Sequence, residues 1–391
     1  MQAFLRRQTK WRRCSPPSLQ HVPAGSFGEA AATVVARGVS RAGWAGSCSL
    51  CPSLPAFSCA RFPDLKSSEV LLRVVHVLCA LTTVVCRKMA ALGFPLVMTD
   101  GGDDRCTLNA KGVNKYHCRP SPVKGALFRG SCTCNLPTER AYHAAEAAFN
   151  ALSREDVTVG DIFDGIRSSI KSSYNLPPGT EVFLCPSGSD AEYIPLLIAK
   201  TLNKGRRVVN IVTCDAEVGS GTLDAAGGCY FSDVVPFPDE ESAGKKLNKQ
   251  KLAGLAEDVE TVAIPARSGT KGDVVDTKAA VQEIVDRCAA DNSVPIVHCV
   301  QGSKTGIFEP YPETNFGQMV ATRDAFIVVD ACQGRMKERE LNDNIQKGAI
   351  VLLTGSKFFR GPPFSGAVLV PGSIMERLVR LGLSRALLCP Y

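Results

Sequence analysis

An α/β fold on a mostly parallel sheet is predicted by three observations. Short apolar runs rich in β-branched residues recur from about residue 182 onward, as strands buried on both faces do. Segments of helical length and pattern separate them. Several runs also end in turns carrying Gly, Ser, Asp or Lys, and open α/β sheets gather their ligands at strand carboxyl ends.

The elements follow in order along the 391 residues. Pro137–Ser153 is Ala-rich, carries Glu139 near its start and reads as a helix. Strands are predicted at Val182–Cys185, Val208–Thr213, Thr261–Ile264, Pro295–Val300, Ala325–Val329, Ile350–Leu353 and Gly366–Val370. Helices are predicted at Ala191–Leu202, Lys278–Ala290, Gln318–Arg323 and Ile374–Leu381. Pro236–Asp258, rich in Lys and Glu, reads as a solvated excursion around a short helix.

Composition splits the chain in two. Residues 1–88 carry 12 Lys and Arg against 3 Asp and Glu, and residues 89–391 carry 33 against 35. The overall charge of +7 therefore belongs to the leader and gives no reason to expect a nucleic-acid partner. An Arg-rich, acid-poor start resembles a transit peptide, which would send the chain to a mitochondrion or other organelle. The alternative is a mis-annotated start, with translation from Met89 in the cytoplasm. In either case residues 1–88 are expected to be mostly disordered. Val70–Cys86 is apolar but short, and Arg73 and His76 interrupt it, so no stable membrane insertion is expected. The 303 residues that follow are ample for one large core.

The 17 cysteines lack zinc-site spacing: Cys48-x-x-Cys51 has no second pair, and there are only five histidines. No metal is expected, and Cys106 to Cys332 read as free thiols of a reducing compartment.

Four motifs carry chemistry. Pro186-Ser187-Gly188-Ser189-Asp190-Ala191-Glu192 joins a strand to a helix, and Ser189 with Glu192 fits an S-x-x-E capping box. Free N–H groups at a helix start suit a phosphate, and Gly188 lets it come close. Gly302-Ser303-Lys304-Thr305-Gly306 follows Pro295–Val300. Asp330-Ala331-Cys332-Gln333 follows Ala325–Val329. Thr354-Gly355-Ser356-Lys357 follows Ala349–Leu353, its lysine 27 residues after Asp330. A carboxylate and a lysine at one sheet edge are the pair a pyridoxal phosphate (PLP) enzyme needs, opposite the pyridine nitrogen and as Schiff-base amine. Gly219-Ser220-Gly221 could open a dinucleotide loop, but Asp224 stands where its third glycine belongs.

In this order the motifs resemble the large domain of fold-type I PLP enzymes, in the branch of class-V aminotransferases and cysteine desulfurases, from about Met98 to Pro371. The resemblance implies a PLP-dependent transferase (aspartate aminotransferase-like) large domain over 89–391, with a mostly parallel seven-stranded sheet between helices. It implies pyridoxal 5'-phosphate held by Gly188, Ser189, Asp190, Ser303, Asp330, Gln333, Thr354, Ser356 and Lys357, with Lys357 as the catalytic residue. It further implies an amino-acid substrate, a homodimer, and most directly an aminotransferase. The alternatives are a lyase or cysteine desulfurase, or a truncated and catalytically incompetent relative.

Three departures stand out. Ser356 replaces the family's histidine and Ser303 its asparagine. No histidine or aromatic residue follows Val208–Thr213 where the ring-stacking histidine belongs, so either Glu217 and Val218 occupy that space or the alignment shifts there by a few residues. The chain ends 34 residues after Lys357, where relatives carry a further domain, and a truncated large domain is the expectation.

Overall fold

The computed structural model describes residues 94–99, 103–127, 130, 132–154, 156–234, 245–268, 272–310, 325–363 and 365–382. The leader, Val70–Cys86 and the helix predicted at Gln318–Arg323 lie outside them.

The strands are β1 (Glu181–Cys185), β2 (Val208–Thr213), β3 (Val259–Ile264), β4 (Val294–Gln301), β5 (Phe308–Glu309), β6 (Phe326–Asp330), β7 (Ile350–Thr354) and β8 (Gly366–Val370). They form one sheet in the order β1-β8-β7-β6-β4-β2-β3, with β5 paired to β4 off this path. Pairings β2–β3, β2–β4, β4–β6 and β6–β7 are parallel. Only β8, against β1 and β7, and the two-residue β5 run antiparallel. This is the expected mostly parallel architecture, with one correction. Among the described residues the strands number eight, because after Gly302 the chain turns back and pairs Phe308–Glu309 with Val300–Gln301.

The helices are α1 (Phe94–Val97), α2 (Glu139–Ser153), α3 (Val159–Ser173), α4 (Gly188–Ala191), α5 (Tyr193–Leu202), α6 (Thr222–Ala226), α7 (Lys278–Ala290), α8 (Glu338–Gln346) and α9 (Gly372–Arg380). Residues of α2, α3 and α8 pack on one face of the sheet, against Val329, Val351, Leu353 and Leu369. Residues of α5 and α9 pack on the other, against Ile296, Val328, Ile350, Leu352 and Val368. The face assignment follows from the period of two along each strand. Central strands are therefore buried on both sides: β2, β4, β7 and β8 have no exposed position.

The short α1 and α6 and two longer helices, α3 and α8, went unpredicted. Thr158 caps α3, its hydroxyl accepting the Asp161 N–H at 3.1 Å while the Asp161 carboxylate accepts the Thr158 N–H at 2.8 Å. Ile162, Ile166 and Ile170 give it one buried stripe. In α8 only Leu341 and Ile345 are buried. In the excursion, residues 245–258 form turns, not a helix, and bury Leu247, Leu255 and Ala256.

Candidate active site

Adjacent parallel strands deliver the candidate groups to one sheet edge. Register puts Asp330, the last residue of β6, level with Val300 on β4 and Leu352 on β7. The chain then leaves β4 into Gly302-Ser303, β6 into Ala331–Gln333 and β7 into Gly355–Lys357. From β2 it leaves into a turn that carries Glu217 and Val218. Asp330, Gln333, Lys357, Ser303, Glu217 and Val218 line one cleft.

Local backbone holds each group there. Gly302 takes φ +77°, and both Gly302 and Ser303 donate their N–H groups to the Ile307 carbonyl, at 3.0 and 2.9 Å. The Cys332 N–H donates to the Asp330 carboxylate at 2.9 Å, and Gly334 closes the turn onto the Ala331 carbonyl at 2.8 Å. The lysine loop is tied at its base by the Gly361 N–H on the Gly355 carbonyl at 2.7 Å. Asn135 reaches the Lys357 carbonyl at 3.3 Å, and Thr133 and Ser356 share a 2.9 Å hydroxyl contact.

The cup after β1 lies beside this cleft and does not line it. A Cβ on Gly188 would stand 2.7 Å from Cys332 Sγ and 3.3 Å from Thr354, so the cup presses on the ends of β6 and β7. One on Gly219 would stand 3.4 Å from the Ser189 hydroxyl, which puts the β2 turn next to the cup. The cap is Ser187, not Ser189: its hydroxyl accepts the Asp190 N–H at 3.3 Å and donates to the Asp190 carboxylate at 2.5 Å. Glu192 completes no box. It breaks the predicted Ala191–Leu202 helix into α4 and α5, and its side chain turns into the core. Ser189 itself is buried in the cup. Burial pushes the Asp190 carboxyl up to about 6 despite the bond from Ser187.

Two predicted ligands have other partners. Thr354 donates its hydroxyl to the Cys332 carbonyl at 2.7 Å. Ser303 donates its own to Glu217. Glu217 also receives Arg267 at 2.6 Å and Thr305. Burial alone would raise the Glu217 pKa, but the bonds from Ser303, Thr305 and Arg267 outweigh it and hold the carboxyl at about 2. Glu217 is thus a fixed carboxylate that ties the β2 turn to the β4 turn, a role its sequence position did not announce.

Sequence reasoning missed two further features. Arg105 grips the Asp103 carboxylate and donates to Ser187 at 3.2 Å, bringing a guanidinium to the cup. Behind Asp330, His298 Nδ1 and Glu192 Oε2 stand 3.2 Å apart, off line for a hydrogen bond, with both side chains 1% exposed. Burial lowers the His298 pKa to about 4, although Asp330 pulls it upward. Burial and then Asp330 push the Glu192 carboxyl well above its usual range, against Lys357. Burial therefore favours the neutral form of each partner. Among the described residues no group of three or more His, Cys, Asp and Glu could hold a metal ion, and no helix is long and apolar enough to cross a membrane.

Neither a protein-family model nor a curated protein sequence matches the chain. Solved structures resemble it distantly. One assigned as a histidinol-phosphate aminotransferase from Erwinia carotovora atroseptica is 14% identical, with a TM-score of 0.37 over 60% of this chain and 58% of its own. TDC from Oryza sativa, solved with PLP and tryptamine, is 14% identical with a TM-score of 0.36, over 56% and 43%. A sphingosine-1-phosphate lyase from Burkholderia pseudomallei is 16% identical with a TM-score of 0.32, over 51% and 40%. The chain thus spans between 40% and 58% of the length of these structures.

Proposed function

We propose that the cleft binds pyridoxal 5'-phosphate and that the protein acts on an amino acid, as an aminotransferase first. One observation carries this reading: β6 and β7, neighbours in the sheet, bring Asp330, Gln333 and Lys357 to one cleft.

The donor set fits the group. The Gly188 and Ser189 N–H groups open a helix, where no intrahelical acceptor exists, and with the Ser189 hydroxyl they suit the phosphate. Arg105 adds positive charge at the same cup. Asp330 provides a carboxylate for the pyridine nitrogen and Gln333 an amide for the ring hydroxyl. Lys357 is the amine that would carry the coenzyme. Val218 supplies an apolar wall in place of an aromatic one. When bound, the coenzyme supplies an electron sink for the pair left as a bond at the substrate Cα breaks.

The chain's own residues then orient and move protons. Asp330, set by the Cys332 N–H, fixes the ring's orientation. Lys357 Nζ takes the Cα proton of the substrate and returns it. Screening purified protein with amino acids and a 2-oxo-acid acceptor tests the reaction. The aminotransferase reading expects amino-group transfer that Lys357→Ala abolishes. Loss of carboxylate or a side chain, without transfer, would replace it with the lyase or desulfurase reading.

A second reading has its own support: a protein that holds the coenzyme without turnover. Thr354 and Ser303, both expected at the coenzyme, donate their hydroxyls within the protein. Stable coenzyme binding with no reaction across the same screen would favour it.

A further inference from the structure

Two thiols outside the cleft are placed to react with each other. Cys106 Sγ and Cys134 Sγ stand 3.1 Å apart, joining positions 28 residues apart in the chain. Both side chains are buried, 4% and 2% exposed, and both cysteines are free. Neither lines the cleft, so the coenzyme reading makes no use of them.

Their neighbours in sequence do reach the site. Cys106 follows Arg105, which donates to Ser187 of the cup at 3.2 Å, and the Cys106 N–H closes a turn on the Asp103 carbonyl at 3.0 Å. Cys134 lies between Thr133, whose hydroxyl meets that of Ser356 at 2.9 Å, and Asn135, which donates to the Lys357 carbonyl at 3.3 Å. Asn114 anchors the same segment on the Cys134 carbonyl at 2.9 Å. A covalent bond between the sulfurs would therefore join the segment that touches the phosphate cup to the segment that touches the lysine loop.

We propose that Cys106 and Cys134 are a redox-active dithiol that closes to an intramolecular disulfide by exchange with a small-molecule disulfide, stapling the two segments that bracket the cleft. One protein thiolate attacks the small disulfide, forming a mixed disulfide and releasing one small thiol. The second protein thiolate attacks the protein-side sulfur and releases the other. The two cysteines are oxidised, the small disulfide is reduced to two thiols, and the two protons lost by the cysteines end on those thiols. Hydrogen bonding to Cys134 and burial keep the Cys106 thiol protonated, which makes closure slow. The closed loop restricts the unfolded chain, so the oxidised protein unfolds at a higher temperature.

The test equilibrates the full chain in glutathione buffers of graded ratio, alkylates the remaining thiols and maps peptides without reduction. The proposal expects a linked peptide containing Cys106 and Cys134 in oxidising buffers, and a rise of several degrees in Tm. Cys106→Ser should remove both, and Cys132→Ser, which alters a half-buried neighbour, should leave both. Recovery of Cys106 and Cys134 as separately alkylated peptides at every ratio, from protein shown to be folded, would overturn it. So would a link that uses Cys132 instead, or glutathione retained on Cys132 alone. Should Cys106→Ser fail to fold, the wild-type peptide map decides.

Discussion

Glu192 and His298 face each other in the core behind Asp330, and their opposed shifts set a pH signature. In the folded protein burial favours the neutral form of each, lowering the His298 pKa and raising that of Glu192. In the unfolded chain the pair holds one proton between about pH 4.5 and 6.5, two below and none above. The two shifts therefore act on stability in opposite directions within that window. A His held below its usual pKa contributes stability that is present above about 6.5 and lost as pH falls toward 4. A Glu held above its usual pKa contributes stability present below about 4.5 and lost as pH rises. Each variant exposes one half. Relative to wild type, Glu192→Gln should lose stability as pH falls from 6.5 toward 4, by up to about 1 kcal/mol per pH unit. His298→Asn should lose a similar amount per unit as pH rises from 4.5. Urea unfolding across pH 4 to 7 measures both, and slopes of the same sign would refute the opposed shifts.

Residues differed in how readily their sequence announced them. Asp330 and Lys357 were legible because each follows a strand whose buried character is plain in its composition. Ser187, Glu192 and Arg105 were not. Ser187 and Ser189 both have an acidic residue three positions on, and only the tertiary pull of the His298 pocket on Glu192 decides between them. Arg105 reaches the cup from 82 residues away, a contact that no local pattern encodes.

At the scale of elements, the turn after β6 and the loop after β7 hold each other in place. Gly334 takes φ +68°, and a Cβ there would stand 2.8 Å from the Phe359 ring. Gly334→Ala should therefore cost at least 1–2 kcal/mol, from the left-handed backbone alone, and should loosen coenzyme retention because the Gln333 turn and the Lys357 loop must separate. Equilibrium unfolding and coenzyme off-rates measure the two effects, and a variant as stable and retentive as wild type would contradict the coupling. Leu352, fully buried at the centre of β7, gives a comparison without a turn. Leu352→Ala should cost roughly 2–5 kcal/mol as a lower denaturant midpoint.

The predicted strands were found within a residue or two of their bounds, since β-branched runs buried on both faces leave little else to form. The α3 helix carried a readable T-x-x-D cap and an isoleucine stripe that went unused. The α8 helix gave little to read: two apolar residues among nine leave almost no periodic signal. β5 is only two residues long and owes its pairing to the Gly302 turn rather than to its own composition.

For the molecule as a whole, the sheet order places the C-terminal ends of β2, β4, β6 and β7 side by side, and that adjacency gathers into one cleft motifs spread over 140 residues, from Glu217 to Lys357. Their order was legible; the hydroxyl partners of Ser303 and Thr354 were not, because they depend on cross-strand distances. The proposed homodimer also belongs at this scale. Light scattering on the eluted full chain should give twice its 41.7 kDa mass, and a monomer that still holds coenzyme would remove the dimer from the account.

The central claim is that Lys357 carries pyridoxal 5'-phosphate in this cleft. The most direct measurement incubates the full chain with the coenzyme, reduces with borohydride and maps the modified peptide by mass. The account predicts a single modified lysine, Lys357, and loss of the label in Lys357→Ala. Lys304 is the informative competitor, because burial lowers its pKa and it lies close enough to Lys357 for their charges to interact. Label on Lys304 in place of Lys357, or no label on protein shown to be folded, would contradict the claim.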